Sequence, residues 1–245
     1  MKKVIRTKKL ILILVEGKSD EASLEYVLSN LVKSEKVKFV ICRGDITSDN
    51  KTTTRNVNKK ITAKIKEFLD SSNGLYSITD VNLIVHIMDT DACSIDECNI
   101  VESDKNEYQK TIVNTTSKNN ILNRNRKKLA ILKIVSSLNY LSFNINNSSL
   151  CVPYTPYYMS CNLEHVLHNN PNIDTFDEKE YYSMKFSVKY LNKISEFVEF
   201  INSTNVGTNL SFTESWNNIL RPENALKRET NLNLFVNDYV NEDQH

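Results

Sequence analysis

The chain has 245 residues, with 31 lysines and arginines against 30 aspartates and glutamates, a net charge of +1 and a hydrophobic share of 40%. This is the composition of an ordinary globular protein, and the length allows one large domain or two small ones. The longest apolar run, Leu10 to Val15, is too short for a membrane span or a signal peptide. We therefore expect a cytoplasmic protein with no membrane partner.

The near-neutral total hides an uneven distribution of charge. Residues 108–163 hold seven basic side chains and no acidic one, whereas residues 164–245 hold 7 basic and 13 acidic ones. A basic block of this kind is compatible with binding to nucleic acid, and the alternative is a solvated basic face. The five cysteines form no CxxC pair, so we expect free thiols.

The first half of the chain alternates strand and helix patterns. Residues 10–15 (LILILV) are a continuous apolar run of strand length, which is typical of a central parallel strand. A helix capped by Ser19 follows, and then a strand over 37–42, a helix over 56–70 and a strand over 81–88. This order predicts an α/β fold with a mostly parallel sheet covered by helices. In such sheets ligands bind beyond the carboxyl ends of the strands.

The second half is less regular. Its expected elements are a polar stretch, a basic amphipathic segment, a short strand and three helical regions, at about 92–120, 121–141, 149–154, 162–169, 177–202 and 211–240. Pro153 and Pro156 are expected to end the strand. We therefore divide the chain into an α/β domain over residues 1–160 and a helical C-terminal region over residues 161–245 that packs on it.

Three carboxylates fall on one edge of the predicted sheet. Glu16 directly follows the first strand, and Asp89 and Asp91 follow the third. Like charges this close are costly unless they are neutralised, and oxygen-only ligation suits Mg²⁺ or Mn²⁺. The alternative is that the two aspartates belong to a solvated turn, where Asp is common.

The residues around these carboxylates resemble a known family. Val15-Glu16-Gly17-Lys18-Ser19-Asp20 after one apolar strand, and Asp89-Thr90-Asp91 after a later one, look like the motifs of the Toprim domain. Topoisomerases, primases, small RNA-processing nucleases and OLD-family nucleases share that domain, and the resemblance covers residues 8–110 or so. It implies a Toprim-like fold, with Glu16 as general acid/base and with Asp89 and Asp91 as Mg²⁺ ligands.

The resemblance extends to further charged residues. In OLD-like nucleases an acidic residue four positions after the glutamate also binds metal, and that position is Asp20 here; the alternative is a charge in the first turn of a helix. Residues 159–165 (MSCNLEH) look like the late acidic motif of RloB-like phage-defence proteins, without its Pro and Phe. Glu164 would then be a further metal ligand, or else a glutamate at a helix start. Lys18 is a candidate for stabilising charge on a phosphate, or a solvated loop lysine.

The function that the resemblance implies is a metal-dependent endonuclease in anti-phage defence by abortive infection. Two Mg²⁺ or Mn²⁺ ions would act at the acidic site, and the basic block would bind the backbone of DNA or RNA. The predicted metal ligands are Glu16, Asp20, Asp89, Asp91 and Glu164. The predicted nucleic-acid contacts are Lys118, Arg124, Arg126, Lys127 and Lys128.

Several features of this interpretation stay open. A separately encoded ATPase partner and a homodimer are both compatible with the sequence. Two alternative functions also remain: a Toprim module that binds nucleic acid without cutting it, and a small Toprim ribonuclease that processes RNA. The cysteines and histidines of residues 151–168 match no standard zinc spacing. We expect His86 to be buried in its strand, and Tyr154, Tyr157 and Tyr158 to pack in the core rather than stack on bases.

Overall fold

The computed structural model describes residues 10–32, 36–42, 45–145 and 148–242. Within them the chain is a mixed α/β protein with a mostly parallel central sheet and eight α-helices. Residues 1–9 and 243–245, at the outer ends of the two predicted regions, lie outside the described residues.

Strands and helices alternate along the first half, as the apolar pattern predicts. The elements are β1 (Leu10–Val15), α1 (Lys18–Leu31), β2 (Lys36–Ile41), α2 (Val57–Ser71) and β3 (Val81–Asp89). The start of α1 differs slightly from expectation, because Gly17 and not Ser19 is the N-cap residue. The carboxylate of Asp20 accepts a hydrogen bond from the Gly17 N–H at 2.9 Å, which satisfies one of the free amides at the helix start.

The middle of the chain forms a small separate sheet and the long basic helix. These elements are β4 (Ile100–Glu102), β5 (Glu107–Tyr108), β6 (Val113–Thr115) and α3 (Lys118–Val135). The small sheet has the order β4-β6-β5. The basic segment expected over 121–141 is thus a helix that ends at Val135, and the chain then enters a strand.

The last part of the chain contains two strands and five helices. They are β7 (Tyr140–Ile145), β8 (Ser148–Met159), α4 (Leu163–His168), α5 (Phe176–Lys189), α6 (Ile194–Asn202), α7 (Phe212–Ile219) and α8 (Leu232–Glu242). The helix expected over 177–202 is divided, and Asn192 between α5 and α6 has a φ of 59°, a left-handed conformation that a continuous helix excludes. The region 211–240 likewise holds two helices, α7 and α8.

The central sheet has the strand order β2-β1-β3-β8-β7. The first four of these strands are mutually parallel, and β7 is antiparallel to β8. Val15 pairs with Ile41, and Asp89 pairs with Met159. The carboxyl-terminal ends of β1, β2, β3 and β8 therefore lie at one edge of the sheet, which we call the carboxyl edge.

Strand β8 continues through both prolines that were expected to end it. Pro153 lies in the half of β8 that pairs with β7, and Pro156 lies in the half that pairs with β3. Each proline thus has a strand neighbour on one side only, so the missing N–H does not interrupt a ladder on both sides. The Pro156 carbonyl accepts a hydrogen bond from the indole N–H of Trp216 at 3.1 Å, which replaces a bond within the sheet.

Helices cover both faces of the sheet. Leu12 and Leu14 of β1 share one buried cluster with side chains of α2, α3 and α7, whereas Ile11 and Ile13 share another with α1, α4, α5, α6 and α8. The alternate residues of β1 thus enter opposite cores, which explains why the run is apolar without a break. None of the described helices has the length and apolar character needed to cross a membrane.

Candidate functional site

The carboxyl edge brings Glu16 and Asp89 side by side. Strands β1 and β3 are neighbours in the sheet, so the residue that follows β1 meets the last residue of β3. The backbone N–H of Asp89 donates a hydrogen bond to Oε1 of Glu16 at 3.4 Å. The carboxylate of Glu16 therefore contacts the backbone of Asp89, although 73 residues separate the two.

Hydrogen bonds to the end of β8 fix the turn that contains both aspartates. The Thr90 N–H donates to the Met159 carbonyl at 3.0 Å, and the Asp91 N–H donates to the Cys161 carbonyl at 2.7 Å. The Thr90 hydroxyl accepts a hydrogen bond from the Cys161 N–H at 2.9 Å. Asp91 itself has a φ of 50°, in the left-handed region. Because of this left-handed conformation, the regular alternation of side chains along β3 does not continue to Asp91, and its side chain points in a different direction than the strand pattern gives.

A buried lysine joins the turn to a second loop. The Lys128 ammonium lies 2.5 Å from Oδ2 of Asp91 and 2.6 Å from Oδ2 of Asp45, and its side chain is 0% exposed. Burial works against the charge of Lys128, but the two carboxylates outweigh it and raise the lysine pKa above its ordinary value. Desolvation also opposes ionisation of Asp45, yet the Lys128 ammonium and its hydrogen bond lower the pKa of that carboxyl to about 2.

Asp20 and Glu164 approach the carboxyl edge from two helix N-termini. Asp20 lies in the first turn of α1, and Glu164 lies in the first turn of α4 with its side chain buried. Nζ of Lys179 from α5 lies 3.5 Å from Oε1 of Glu164. Desolvation raises the pKa of Asp20 to about 6, and repulsion from Glu164 adds to the rise against the effect of Lys179. The two carboxylates are therefore close enough to interact.

Glu16 and Asp89 are both desolvated carboxylates with acidic neighbours. Desolvation raises the pKa of Glu16 well above its ordinary value, and repulsion from neighbouring aspartates adds to it, while Lys128 opposes it. Desolvation likewise raises the pKa of Asp89, with repulsion from Glu16 as the next cause. A pair of desolvated, mutually repelling carboxylates is stabilised by any cation that comes between them.

The acidic residues open into a cleft of about 350 Å³. Glu16, Asp89 and Asp91 line one part of it, and the small sheet contributes Tyr108. Two cationic groups, from Arg124 and Lys179, also line the cleft. Carboxylates and cations around one hollow are the lining that a phosphate group together with a divalent cation requires.

The described residues contain no ready-made cluster of three His, Cys, Asp or Glu side chains that could hold a metal ion. Asp91 is paired with Lys128, and Glu164 is paired with Lys179. The donor type nevertheless fits, because carboxylate oxygens are the ligands that Mg²⁺ and Mn²⁺ prefer. Binding of an ion at this edge therefore requires a rearrangement of side chains that gathers carboxylates around it.

Lys128 differs most from the sequence-based expectation for the basic block. A fully buried ammonium between two aspartates does not reach a nucleic-acid backbone, so the structure gives Lys128 an internal role. Arg124 is half-buried, and its guanidinium donates to the Asp91 carbonyl at 2.9 Å. The spacing of four residues on α3 puts both side chains on the helix face that meets the Asp91 turn.

The other three predicted contacts are closer to solvent. Arg126 is exposed, and its guanidinium lies 3.7 Å from a carboxylate oxygen of Glu97. Lys127 is partly exposed and donates a hydrogen bond to the Asp49 carbonyl at 2.5 Å. Lys118, the first residue of α3, is also partly exposed. Of the five predicted nucleic-acid contacts, these three are therefore the ones that a backbone phosphate can approach.

Lys18 lies away from the cleft that holds the aspartates. It is exposed at the first position of α1 and lines a second hollow, of about 690 Å³, between β2 and α2. Glu16 lines both hollows. Lys18 therefore lines a different hollow from the one that contains Asp89 and Asp91.

The remaining chemistry-bearing residues have structural surroundings. His86 is buried, and its Nδ1 lies 2.7 Å from the hydroxyl of Tyr154. The expected core positions of Tyr154, Tyr157 and Tyr158 agree with their burial. Cys151 is exposed, Cys161 is buried, and all five cysteines are free.

Two residues of the site were not predicted from the sequence. Asp45 lies in a polar loop with no local motif, but it follows the end of β2 by four residues and so belongs to the same carboxyl edge as Glu16. The order of strands and helices could therefore have indicated it. Lys179 lies on α5, far along the chain, and only the fold brings it to Glu164.

Comparisons with known proteins leave the resemblance as the only indication of a family. No protein-family model matches the chain, and no curated protein and no solved structure matches it. The chemistry available at the site therefore depends on its own residues, some of which lie in motifs that look like those of Toprim domains.

Proposed function

We propose that the protein is a metal-dependent nuclease that hydrolyses phosphodiester bonds of nucleic acid at the carboxyl edge. The observation that carries the proposal is the contact between Glu16 and Asp89 at the ends of neighbouring parallel strands. These are the two positions that match the glutamate and the first aspartate of the Toprim motifs. The cleft beside them combines carboxylates with the cations of Arg124 and Lys179.

The charge balance of the edge supports a cation as cofactor. Among the described residues, three cationic groups, from Arg124, Lys128 and Lys179, face six carboxylates, those of Glu16, Asp20, Asp45, Asp89, Asp91 and Glu164. Asp89 and Asp91 would hold one Mg²⁺ or Mn²⁺ ion, and Glu16, Asp20 and Glu164 would hold a second. Bound ions of this kind neutralise phosphate charge, activate water and stabilise a leaving oxygen.

The chain's own side chains supply positioning and proton transfer. Glu16 lines the cleft and takes the general acid/base role that the resemblance implies. Arg124 and Lys179 orient a phosphate against the aspartates. Lys118, Arg126 and Lys127 on α3 bind the neighbouring backbone, which is a contact that depends on salt and not on base sequence.

One observation favours a second candidate, a module that binds nucleic acid without cutting it. The Lys128 ammonium is paired with the carboxylate of Asp91, the residue that the resemblance makes a metal ligand. If this ion pair persists in the presence of nucleic acid and Mg²⁺, the edge lacks an essential ligand. Binding would then take place without hydrolysis.

A cleavage assay separates the two candidates. Purified protein is incubated with end-labelled DNA and RNA in Mg²⁺, in Mn²⁺ and in chelator. The nuclease proposal predicts cleavage that needs the metal, that is lost in Glu16→Gln and Asp89→Asn, and that is unchanged in Asp70→Asn. Asp70 is a matched control because it is an exposed acid beside the start of β3, at the opposite end of that strand from Asp89.

Each other outcome of the assay is informative. Binding without cleavage in every metal and on every substrate supports the non-cleaving module. Cleavage that survives Glu16→Gln and Asp89→Asn contradicts the site. Preference for structured RNA over DNA would indicate an RNA-processing enzyme.

The proposed biological setting is phage defence in the cytoplasm. The proposed partner is a separately encoded ATPase, and co-purification of the two proteins is the corresponding test.

A further inference from the structure

Helix α5 presents an apolar stripe to solvent. Five large hydrophobic side chains of this region are between 50% and 74% exposed, namely Phe176, Tyr181, Met184, Val188 and Leu191. Tyr181, Met184 and Val188 follow one another at steps of three and four residues, so they share one face of the helix, and Leu191 lies just beyond its end. A contiguous apolar surface of this kind marks an interaction site.

The opposite face of α5 is already occupied within the molecule. Ser183, Phe186 and Tyr190 are buried, and the Ser187 hydroxyl donates to the Ala22 carbonyl of α1 at 2.7 Å. Lys179 on this side pairs with Glu164 of the candidate site. The exposed stripe is therefore a second face of the helix and not a consequence of loose packing.

The charges beside the stripe are divided along the helix. Asp177, Glu178 and Glu180 lie in its first half, whereas Lys185 and Lys189 lie in its second half. Two such helices side by side in parallel would place like charges together. In an antiparallel pair, the acidic half of one helix would lie against the basic half of the other.

We infer that the outer face of α5 binds the same face of a second copy of this chain, in an antiparallel pair about a two-fold axis. A two-fold axis through the Met184 region keeps each flank of the stripe on the same side in both copies. Tyr181 then packs on Val188 of the second copy, and Glu178 comes near Lys189 of the second copy. In this arrangement, apolar side chains of the stripe meet apolar side chains, and acidic residues meet basic ones.

The expected association is weak. Helix α5 has 14 residues, which corresponds to about 21 Å at about 1.5 Å per residue. A pair of such helices buries less than the roughly 800 Å² per partner of a standard interface. We therefore expect a monomer–dimer equilibrium with a dissociation constant of order micromolar.

Sedimentation velocity over a concentration series tests this inference on the full chain. The wild type should shift from monomer to dimer as concentration rises through the micromolar range, and Val188→Glu and Met184→Glu should stay monomeric. Leu75→Glu is the matched control, because Leu75 is 75% exposed and lies outside α5. A wild-type monomer up to about 200 μM, or a dimer that persists in both α5 variants, overturns the inference.

Charge reversal tests the antiparallel arrangement itself. Lys189→Glu should weaken the dimer at least tenfold, and Glu178→Lys added to it should restore most of the loss. Because Glu178 also accepts hydrogen bonds from Thr175 at the helix start, thermal melting of the double variant verifies that α5 is intact. Failure of the second substitution to restore a folded dimer contradicts the antiparallel pairing. The outcome is independent of nuclease activity.

Discussion

The Lys128 ammonium lies 2.5 Å from Oδ2 of Asp91, and the lysine side chain is fully buried. The same ammonium lies 2.6 Å from Oδ2 of Asp45, in the loop that follows β2. Helix α3 is therefore tied by charge to two separate segments of the carboxyl edge. A buried ion pair adds little net stability, but removal of one partner leaves an uncompensated charge in the interior.

Replacement of Lys128 by methionine should destabilise the fold strongly. Asp45 and Asp91 would lose their shared counter-ion, and breaking a buried pair in this way costs about 3–5 kcal/mol. Urea denaturation at neutral pH measures the free energy of unfolding. Lys127→Met is the control, since Lys127 is partly exposed and binds only a carbonyl, and a surface change of this kind has an effect of up to about 1 kcal/mol. Equal stability of the two variants would contradict the buried ion pair.

Replacement of Thr90 by valine should loosen the turn that carries the two aspartates. The Thr90 hydroxyl accepts a hydrogen bond from the buried Cys161 N–H, and an amide left without a partner costs about 1–3 kcal/mol. The free energy of unfolding should fall by that amount. Thr116→Val, at an exposed position near the start of α3, should change it by less than about 0.5 kcal/mol. A neutral Thr90→Val would show that the hydrogen bond between Cys161 and the Thr90 hydroxyl does not stabilise the turn.

His86 should make the protein less stable in mild acid. Burial lowers the pKa of His86 to about 4, from an ordinary value of 6.5. The unfolded chain therefore binds a proton in the range where the folded chain does not, and stability is lost as the pH falls from about 6.5 to about 4. A difference of about 2.5 pH units corresponds to about 3 kcal/mol.

The His86 contribution is measured as a difference between two pH profiles. Urea unfolding gives the free energy of unfolding of wild type and of His86→Gln at each pH from 7 to 4. The difference between the two proteins cancels the contributions of all other titrating groups. Wild type should lose about 3 kcal/mol relative to the variant across this range, in addition to a constant offset from the lost bond to Tyr154. Parallel profiles would show that His86 titrates normally in the folded protein.

The exposed part of the basic block should control the salt dependence of nucleic-acid binding. Lys118→Gln combined with Arg126→Gln removes two cations that reach solvent on α3. The slope of log K against log salt should decrease by about 1 for each residue. Lys59→Gln combined with Lys66→Gln makes the same charge change at exposed positions of α2 and should leave the slope unchanged. An unchanged slope in the first pair would exclude α3 as the binding surface.

The sequence predicts the first half of the fold well, because the physical signal there is local. The run at 10–15 must be apolar on both faces since it lies in the centre of the sheet, and the stripes of α1 and α2 follow the helical period. The sequence pattern does not separate β7 from α3, because only four residues lie between them and the apolar pattern of the helix extends into the strand. It also does not indicate the full length of β8, because the two halves of that strand pair with different neighbours, a tertiary feature that makes Pro153 and Pro156 acceptable.

The candidate site shows the same division between local and non-local information. Glu16 and Asp89 could be placed together because parallel strands end at one edge. The partner of Asp91 could not be predicted, since Lys128 is separated from it by 37 residues and from Asp45 by 83. A basic side chain in a basic helix gives no local sign that it points inward.

The most direct test of the central claim is whether the carboxyl edge binds a divalent cation through Glu16 and Asp89. Isothermal titration calorimetry of the purified chain with Mn²⁺ measures this without any assumption about substrate. We predict saturable binding to the wild type and to the Asp70→Asn control, and at least tenfold weaker binding to Glu16→Gln and Asp89→Asn. Absence of binding to the wild type, or equal binding to all four proteins, would contradict a metal site at this edge.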